Sequence, residues 1–527
     1  MKKTIYIVGL LFMTGLLACT DLDVEPKSIT TPENFFNDES SYEAFIAKLY
    51  AGLAVTGQQG PAGDADIFSL DEGFSNYLRQ YWQFQEITTD EAVLGWGDEG
   101  VPALNYQEWT EDNQFVRAMY YRIFFQVSMA NEFIKETTDE KLDARGVTEA
   151  TRAQVNEYRA EARFLRALAY WHAVDLFGDA PFYTEESGVG AAPPPLASRS
   201  EIFNFIESEL NAIESELVDA GAGQYGRVDK GALWMLQAKL YLNAEVYTGS
   251  GRYGDCITAV NKILSSGAYE LQDNYAHIFM ADNQYSSEII FPITFDGKST
   301  QTWGGMTYLL HAPIGGSLDG VALETMGVNG GWFGLRTTKN IVNLFPDQTG
   351  DLDSRALFWT DGQNLEIEEL GNFNHGIAVI KYKNITSDGI AGSDLTHPDT
   401  DFPMFRLADA YLMYAEAVKQ GGSGGDEATA VNLINDLRER AYGSAGGNIT
   451  TSDLTLEFIL DERARELYWE GHRRTDLIRF GQYTENGIWP WKGGVKDGAT
   501  TSSHLKVLPF PAEEVKVNSN LVQKSGY

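Results

Sequence analysis

Cysteine is nearly absent from this 527-residue chain, which holds only Cys19 and Cys256. That excludes a disulfide framework, and no Cys/His run has zinc-binding spacing. Basic residues are also scarce. Forty Lys and Arg face 75 Asp and Glu, for a formal net charge of −35. Nucleic-acid binding needs a basic surface, and so acidic a chain argues against it. The acidic residues are spread along the chain rather than run together, which reads as a solvated surface. The apolar run at residues 5–17 is too short and wrongly flanked for a lasting membrane span.

That run has another reading. Lys2 and Lys3 precede it, and it ends in Leu16-Leu17-Ala18-Cys19. This ending resembles a bacterial lipobox, which directs cleavage before the cysteine and lipidation of its thiol. The expected organisation is a signal peptide at residues 1–18 and a lipidated N-terminus with tether at 19–38. A single domain then spans 39–527. Cys256 is left without a partner and reads as a buried thiol.

Aromatic residues are plentiful at 12%, with 11 Trp and 26 Tyr. The organising stretch is residues 157–177. Ala160, Phe164, Ala167, Leu168, Trp171 and Val174 line one helical face, with a second apolar stripe beside it. Gly178 and Pro181 then stop the helix. A small-xx-Tyr-xx-small pattern recurs at Ala167/Tyr170/Ala173, Ala238/Tyr241/Ala244 and Ala408/Tyr411/Tyr414-Ala415. Small residues let helices approach closely, as in stacked pairs of the tetratricopeptide kind. Three ordinary amphipathic helices in one bundle would give the same pattern.

Composition shifts near Glu288. Residues 288–294 are strand-like, and Gly, Thr, Asp and aromatics dominate up to about 402. Helices resume at 405–418, 427–442 and 454–468. The expected fold is mainly α, a helix-pair scaffold with irregular insertions. Residues 71–111 carry little helical periodicity. The segments at about 55–111 and 288–404 should share one functional face, since loops on a rigid frame carry function.

Two motifs mislead. Gly249-Ser250-Gly251-Arg252-Tyr253-Gly254 fits G-x-G-x-x-G, but a helix precedes it where a dinucleotide site needs a strand. Gly421-Gly422-Ser423-Gly424-Gly425 fits G-x-S-x-G, yet it follows a helix and reads as a connection. Glu86, Asp90 and Glu91 offer carboxylate pairs of the kind a glycosidase uses, but 75 acidic residues produce such pairs by chance.

Trp96, Trp303 and Trp332 sit beside glycines in segments without helical periodicity. A sugar ring has an apolar C–H face and a rim of hydroxyls. Aromatic faces cover the first, and charged or amide groups bond the second. The alternative is that each indole plugs a loop onto the scaffold. Asp399 and Asp401, with Asp282, offer oxygen ligands for a structural Ca²⁺, with turn chemistry as the alternative.

The C-terminal block DERARELYWEGHRRTDLIRFG at residues 461–481 is similar to the signature of the SusD/RagB family of Bacteroidetes outer-membrane nutrient-binding lipoproteins. Leu508-Pro509-Phe510-Pro511, Asn518, Asn520, Gly526-Tyr527 and residues 159–183 and 402–417 also match it. The resemblance implies a tetratricopeptide-like scaffold, no catalysis, and a lid over a TonB-dependent transporter barrel in the outer membrane. The chain looks most like the starch-binding branch, through VTGQQG at 55–60, Asp71-Glu72-Gly73, Thr89-Asp90-Glu91, Trp303-Gly304-Gly305 and the run from Met326-Gly327 to Trp332. By matching position, Asp71 and Arg79 correspond to a polar pair that bonds sugar hydroxyls. A structural ion pair is the equal alternative for these two. Trp96, Trp303 and Trp332 correspond to aromatic contacts, and starch-binding relatives suggest the calcium ion.

Two positions depart from the pattern. Leu94 stands where a second stacking Trp falls, and Glu99 stands at or near a sugar-contacting Asn. The expected function is cell-surface capture of starch or maltooligosaccharide for the transporter. The alternatives are another glycan or a peptide as cargo, a surface glycoside hydrolase, or a structural lipoprotein.

Overall fold

The computed structural model describes residues 32–61, 65–67, 71–187 and 192–527. The expected signal peptide and Cys19 lie outside the described residues. Among those described, no helix is long and apolar enough to cross a membrane. The tether was expected to reach residue 38, but the chain is on the frame before then. Phe36 is buried against Tyr42 and Phe45.

The frame is helical, in keeping with the mainly α expectation. Its elements are α1 (Ser40–Ala54), α2 (Tyr77–Glu86), α3 (Gln114–Glu136), α4 (Glu149–Phe177), α5 (Arg199–Ile213), α6 (Lys230–Leu242), α7 (Tyr253–Ser266), α8 (Gly305–His311), α9 (Leu407–Lys419), α10 (Glu427–Tyr442), α11 (Leu456–Leu467) and α12 (Arg473–Arg479). The organising helix is α4. The Thr148 side chain caps its first turn and Gly178, at φ 71°, ends it. It packs on α3 and α5, α6 packs on α7, and α9 lies against α7, α10 and α11. Ala167, Ala173, Ala238, Ala244, Ala408 and Ala415 are all buried where these helices meet. One continuous apolar core runs from Phe36 to Leu521. Cys256 is a buried free thiol, and burial pushes its pKa up.

The helix α2 is absent from the sequence reading for a physical reason. Its apolar residues Tyr77, Leu78, Tyr81 and Trp82 share one face, but the helix is only ten residues long and the polar residues opposite them are buried as well, so the short pattern marks no solvent face. Most of its polar side chains find partners inside the molecule, while Arg79 Nη2 and Glu86 Oε2 do not. Gln85 donates to Asp175 at 3.0 Å, and Trp82 donates to the Trp469 carbonyl at 2.8 Å.

Strands are few and short. Antiparallel pairs join β1 (Ala92–Leu94) to β3 (Leu335–Thr337), and β2 (Ile289–Ile293) to β4 (Phe402–Arg406). The first pair matters most for function. It clamps together two segments distant in sequence, each of which carries a half-buried tryptophan next to the strand.

The signature block at 461–481 is a buried charge network. Arg406 donates to Glu470 at 2.6 Å and to Glu288 and Glu466 at 2.7 Å. Arg355 donates to Asp353 at 2.9 Å and to Glu462 at 2.8 Å. Buried charges survive only when paired in this way. The network locks α11 to β4 and to the segments around Glu288 and Arg355.

Candidate functional site

Three indoles form a row on the surface. Trp96 follows β1, Trp332 precedes β3, and Trp303 sits just before α8. The Trp96 and Trp332 rings are 6.4 Å apart, and the Trp332 and Trp303 rings 6.3 Å. The planes are inclined by 44° and 50° in turn, so the row curves rather than stacks. The ring of His397, itself buried, packs against Trp303 with centroids 5.0 Å apart. Trp303 is 38% exposed, and Phe333, at the edge of the row, is 47% exposed. Such a strip can cover successive C–H faces of a curved chain of sugars.

The backbone explains the glycines beside these rings. Trp96 lies flat on Gly334, where a Cβ would meet the indole at 2.5 Å. A Cβ on Gly304 would meet that of Asn76 at 2.2 Å. The segment 332–335 runs along the end of α8. Trp332 N–H donates to the His311 carbonyl at 2.9 Å and Gly334 N–H to that of Ala312 at 2.8 Å. Phe333 adopts a φ of 54°, a conformation uncommon outside glycine, where the segment turns between Trp332 and Gly334.

Glu72 fixes Trp303. Its carboxylate accepts the Trp303 N–H at 3.0 Å and the Thr302 hydroxyl at 2.8 Å, and the Thr56 hydroxyl as well. Burial pushes its pKa up against these donors. Asn76 adds a second anchor, accepting the Gly305 N–H at 3.0 Å.

Arg79 is 3% exposed and lies beneath the row. Its guanidinium stands over the rings of Tyr308 at 4.1 Å, Phe74 at 4.5 Å and Trp96 at 5.7 Å. It donates to Gln83 and to the Gly73 carbonyl, both at 3.2 Å, while Nη2 has no partner. Burial lowers its pKa to about 10, so it stays charged at neutral pH. Asp71 is exposed and accepts the Phe74 N–H at 3.2 Å. Among the described residues no ion pair joins Asp71 to Arg79, so the structural ion pair is not formed.

Leu94 and Glu99 fall differently. Leu94 is buried in β1, held by the Asn105 side chain at 3.0 and 2.9 Å, and presents no face to the surface. Glu99 is exposed in the turn before helix Val101–Tyr106, and its carbonyl accepts from Gln114. The residues missed from sequence are Glu72, Asn76, Tyr308, His311 and His397. Their roles are to hold the row or pack against it, and no periodicity or motif marks such roles.

The three calcium candidates do not form one site. Asp282 accepts from Ser387 at 2.8 and 2.6 Å. Asp399 accepts from Gly297 at 2.8 Å and from Ser393 at 2.6 and 2.7 Å. Asp401 accepts from Phe295 and Tyr225, both at 2.7 Å. Their oxygens are already engaged by N–H and O–H donors. Among the described residues no three acidic, His or Cys side chains stand close enough to hold an ion. Asp399 and Asp401 line one cleft with Gln284, while Asp282 is turned to Ser387.

Glu86 and Glu91 are buried and Asp90 pairs with Arg473 at 2.7 Å, so these carboxylates do not reach the surface row. Trp489 is buried, and Trp491 donates to the Ile367 carbonyl at 2.9 Å, so this pair packs inward. A cleft of about 740 Å³ lined by Tyr120, Phe124, Tyr183 and Pro193 shares no residue with the row.

Known proteins resemble this chain along nearly its whole length. The model of the SusD family matches residues 355–527. The starch-binding protein SusD of Bacteroides thetaiotaomicron is 34% identical over 567 residues, covering 98% of this chain and 96% of that protein. A SusD-like protein of Bacteroides ovatus is 24% identical, covering 96% and 87%. Among solved structures, surface glycan-binding protein A of Bacteroides thetaiotaomicron, in complex with laminarihexaose, superposes with a TM-score of 0.69 at 20% identity over 92% of this chain and 99% of that one. A SusD superfamily protein of the same species gives 0.71 at 18% identity over 92% and 99%. The fold, the buried signature block and the full-length relationship together place this chain in the SusD family.

Proposed function

We propose that this protein captures an α-1,4-glucan, starch or maltooligosaccharide, on the curved row of Trp96, Trp332 and Trp303. The observation that carries the reading is the row itself, three indoles with successive rings 6.4 and 6.3 Å apart, in a chain 34% identical to a starch-binding protein. Asp71 and Glu99, both exposed, supply polar groups for sugar hydroxyls, and Arg79 lies beneath the row with its Nη2 buried and unpartnered, to serve a hydroxyl where the row opens to admit one. Capture breaks no bond, and the glucan passes to a TonB-dependent transporter in the outer membrane. The lipobox at Cys19 supports a cell-surface lipoprotein. A different glucan is the second reading. It is favoured by Leu94, whose burial removes one stacking position from the row.

Affinity electrophoresis on amylopectin, dextran, levan and laminarin, with calorimetry on maltoheptaose, tests this. Retardation by amylopectin and heat on maltoheptaose, both lost in Trp96→Ala/Trp303→Ala, support the α-1,4-glucan. Binding to laminarin alone keeps the row and replaces the substrate. Binding to none removes the glycan reading, and release of reducing ends would make the protein a hydrolase.

A further inference from the structure

His311 ends α8 directly beneath the row. Its ring stacks on Trp332, with centroids 5.0 Å apart and planes inclined by 15°. Its two nitrogens serve two different segments. Nδ1 lies 2.6 Å from the Gly330 carbonyl oxygen and Nε2 lies 2.8 Å from that of Thr396. Gly330 leads into Trp332, and Thr396 leads into His397, the ring beside Trp303. A carbonyl oxygen only accepts hydrogen bonds. A neutral imidazole has one N–H, so it bonds one carbonyl and turns a lone pair toward the other. An imidazolium has two N–H groups and bonds both.

We propose that His311 is a positioning residue of the glycan-binding row, whose imidazolium brackets the Trp332 and His397 segments together, so that capture tightens as the site takes up a proton. This rests on the glycan reading of the row.

Burial pulls the His311 pKa below the usual histidine value, and the two carbonyls push against that. The ring is therefore neutral in neutral solution, with one contact unsatisfied, and protonation completes the bracket. The charged and titratable neighbours are few. Asp394 accepts the Thr396 N–H at 2.8 Å and the His397 N–H at 2.9 Å. Asp319 accepts the Gly331 N–H at 2.8 Å. His397 is close enough for the two rings to oppose each other's protonation. Within α8 itself the remaining titratable group is Tyr308, which faces Arg79. A glycan lying on Trp332 favours the bracketed form. By linkage its binding raises the His311 pKa, and affinity then rises as pH falls through that range.

The test follows the His311 ring in protein labelled with ¹⁵N-histidine, assigned through its contact with the Trp332 indole, with and without saturating maltoheptaose. Calorimetry at the same pH values compares wild type with His311→Gln. A Gln amide donates to a carbonyl but does not titrate. The expected result is that the second ring nitrogen takes up its proton in one step below the ordinary histidine value of about 6.5, and at higher pH with glycan bound. Wild-type affinity should tighten by about three- to tenfold across the step, and that of His311→Gln should not. A ring that remains a single neutral tautomer to pH 5 overturns the proposal, and so does an identical pH profile in the variant. Wild-type ring titration needs no variant, so the proposal stays testable if His311→Gln does not fold. If maltoheptaose binds at no pH, the glycan reading and the proposal built on it both fail. Binding with a non-titrating His311 removes the bracket alone.

Discussion

The indole N–H of Trp96 donates to the backbone carbonyl of Trp332 across 3.0 Å. One aromatic contact is thereby hydrogen-bonded to the backbone of the next, through segments 236 residues apart in the chain. The β1–β3 pair sets the same spacing from behind, with Leu94 opposite Leu335. The row is preorganised, so a ligand need not order it on binding.

Trp96→Phe and Trp96→Ala separate the ring from the bond. Phenylalanine keeps an aromatic face and loses the N–H, while alanine loses both. Calorimetry on maltoheptaose should show the alanine variant weaker by about tenfold or more, near 1.4 kcal/mol, with phenylalanine between it and wild type. Equal affinity in all three proteins would remove Trp96 from the binding surface.

The helical frame was legible because its long helices bury one face and keep the other polar. The α10 boundaries read from sequence match the structure residue for residue. The α2 helix was illegible because its apolar stripe is only ten residues long and is set between the glycine-bearing segments at Gly73 and Gly95. At the site, the indoles were legible as aromatics set beside glycines. Glu72 and His311 were not, because each acts by holding a backbone group from a distant segment. Arg79 and Asp71 are eight positions apart in sequence, but the chain places one under the aromatic row and the other in solvent. Sequence position alone does not distinguish those outcomes.

Glu72 makes the Trp303 anchor sensitive to acid. Its pKa is raised by burial, so it takes up a proton above the usual carboxylate value of about 4.3. Protonation weakens the acceptor that holds the Trp303 N–H and turns one oxygen into a donor. Glycan affinity governed by Glu72 should fall as pH drops through that raised value. In Glu72→Gln the acid-side loss should disappear, and affinity at neutral pH should already be weaker by about threefold to tenfold. An unchanged acid limb in the variant would assign the loss to another group.

Arg406 compensates three buried carboxylates, Glu288, Glu466 and Glu470. Arg406→Met removes the one cation shared by all three and leaves Arg440, Arg355 and Lys381 to compensate them in part. Urea unfolding should show a loss of about 3–5 kcal/mol. The arginines around Glu462 hold its pKa near 2, and those around Glu466 hold it well below the usual carboxylate range. Stability from these depressed groups is complete above the unfolded value near pH 4.3 and is lost as pH falls through the folded values. Wild type should therefore lose stability steeply between about pH 4 and 2, and Arg406→Met should begin lower and fall less.

Glu86 and Glu91 act in the opposite sense. Both are buried, and Glu86 Oε2 is left without a hydrogen-bond partner. Burial raises both pKa values, and the charge of Glu86 raises that of Glu91 further, while Arg473 opposes the shift. One proton is therefore held by the pair where free carboxyls would have lost it. A raised folded pKa gives stability that is full below the unfolded value and declines as pH rises through the folded one. Glu91 Oε2 accepts the Trp469 N–H at 2.8 Å, and Glu86 Oε1 accepts the N–H groups of Gly471 and His472. In Glu91→Gln the amide oxygen can keep the Trp469 bond, and the amide N–H can replace the pair's proton. The variant should match wild type near pH 5 and exceed it by about 1–3 kcal/mol near pH 8, measured by urea unfolding. A variant less stable than wild type at both values would mean that the pair holds no proton in the folded protein.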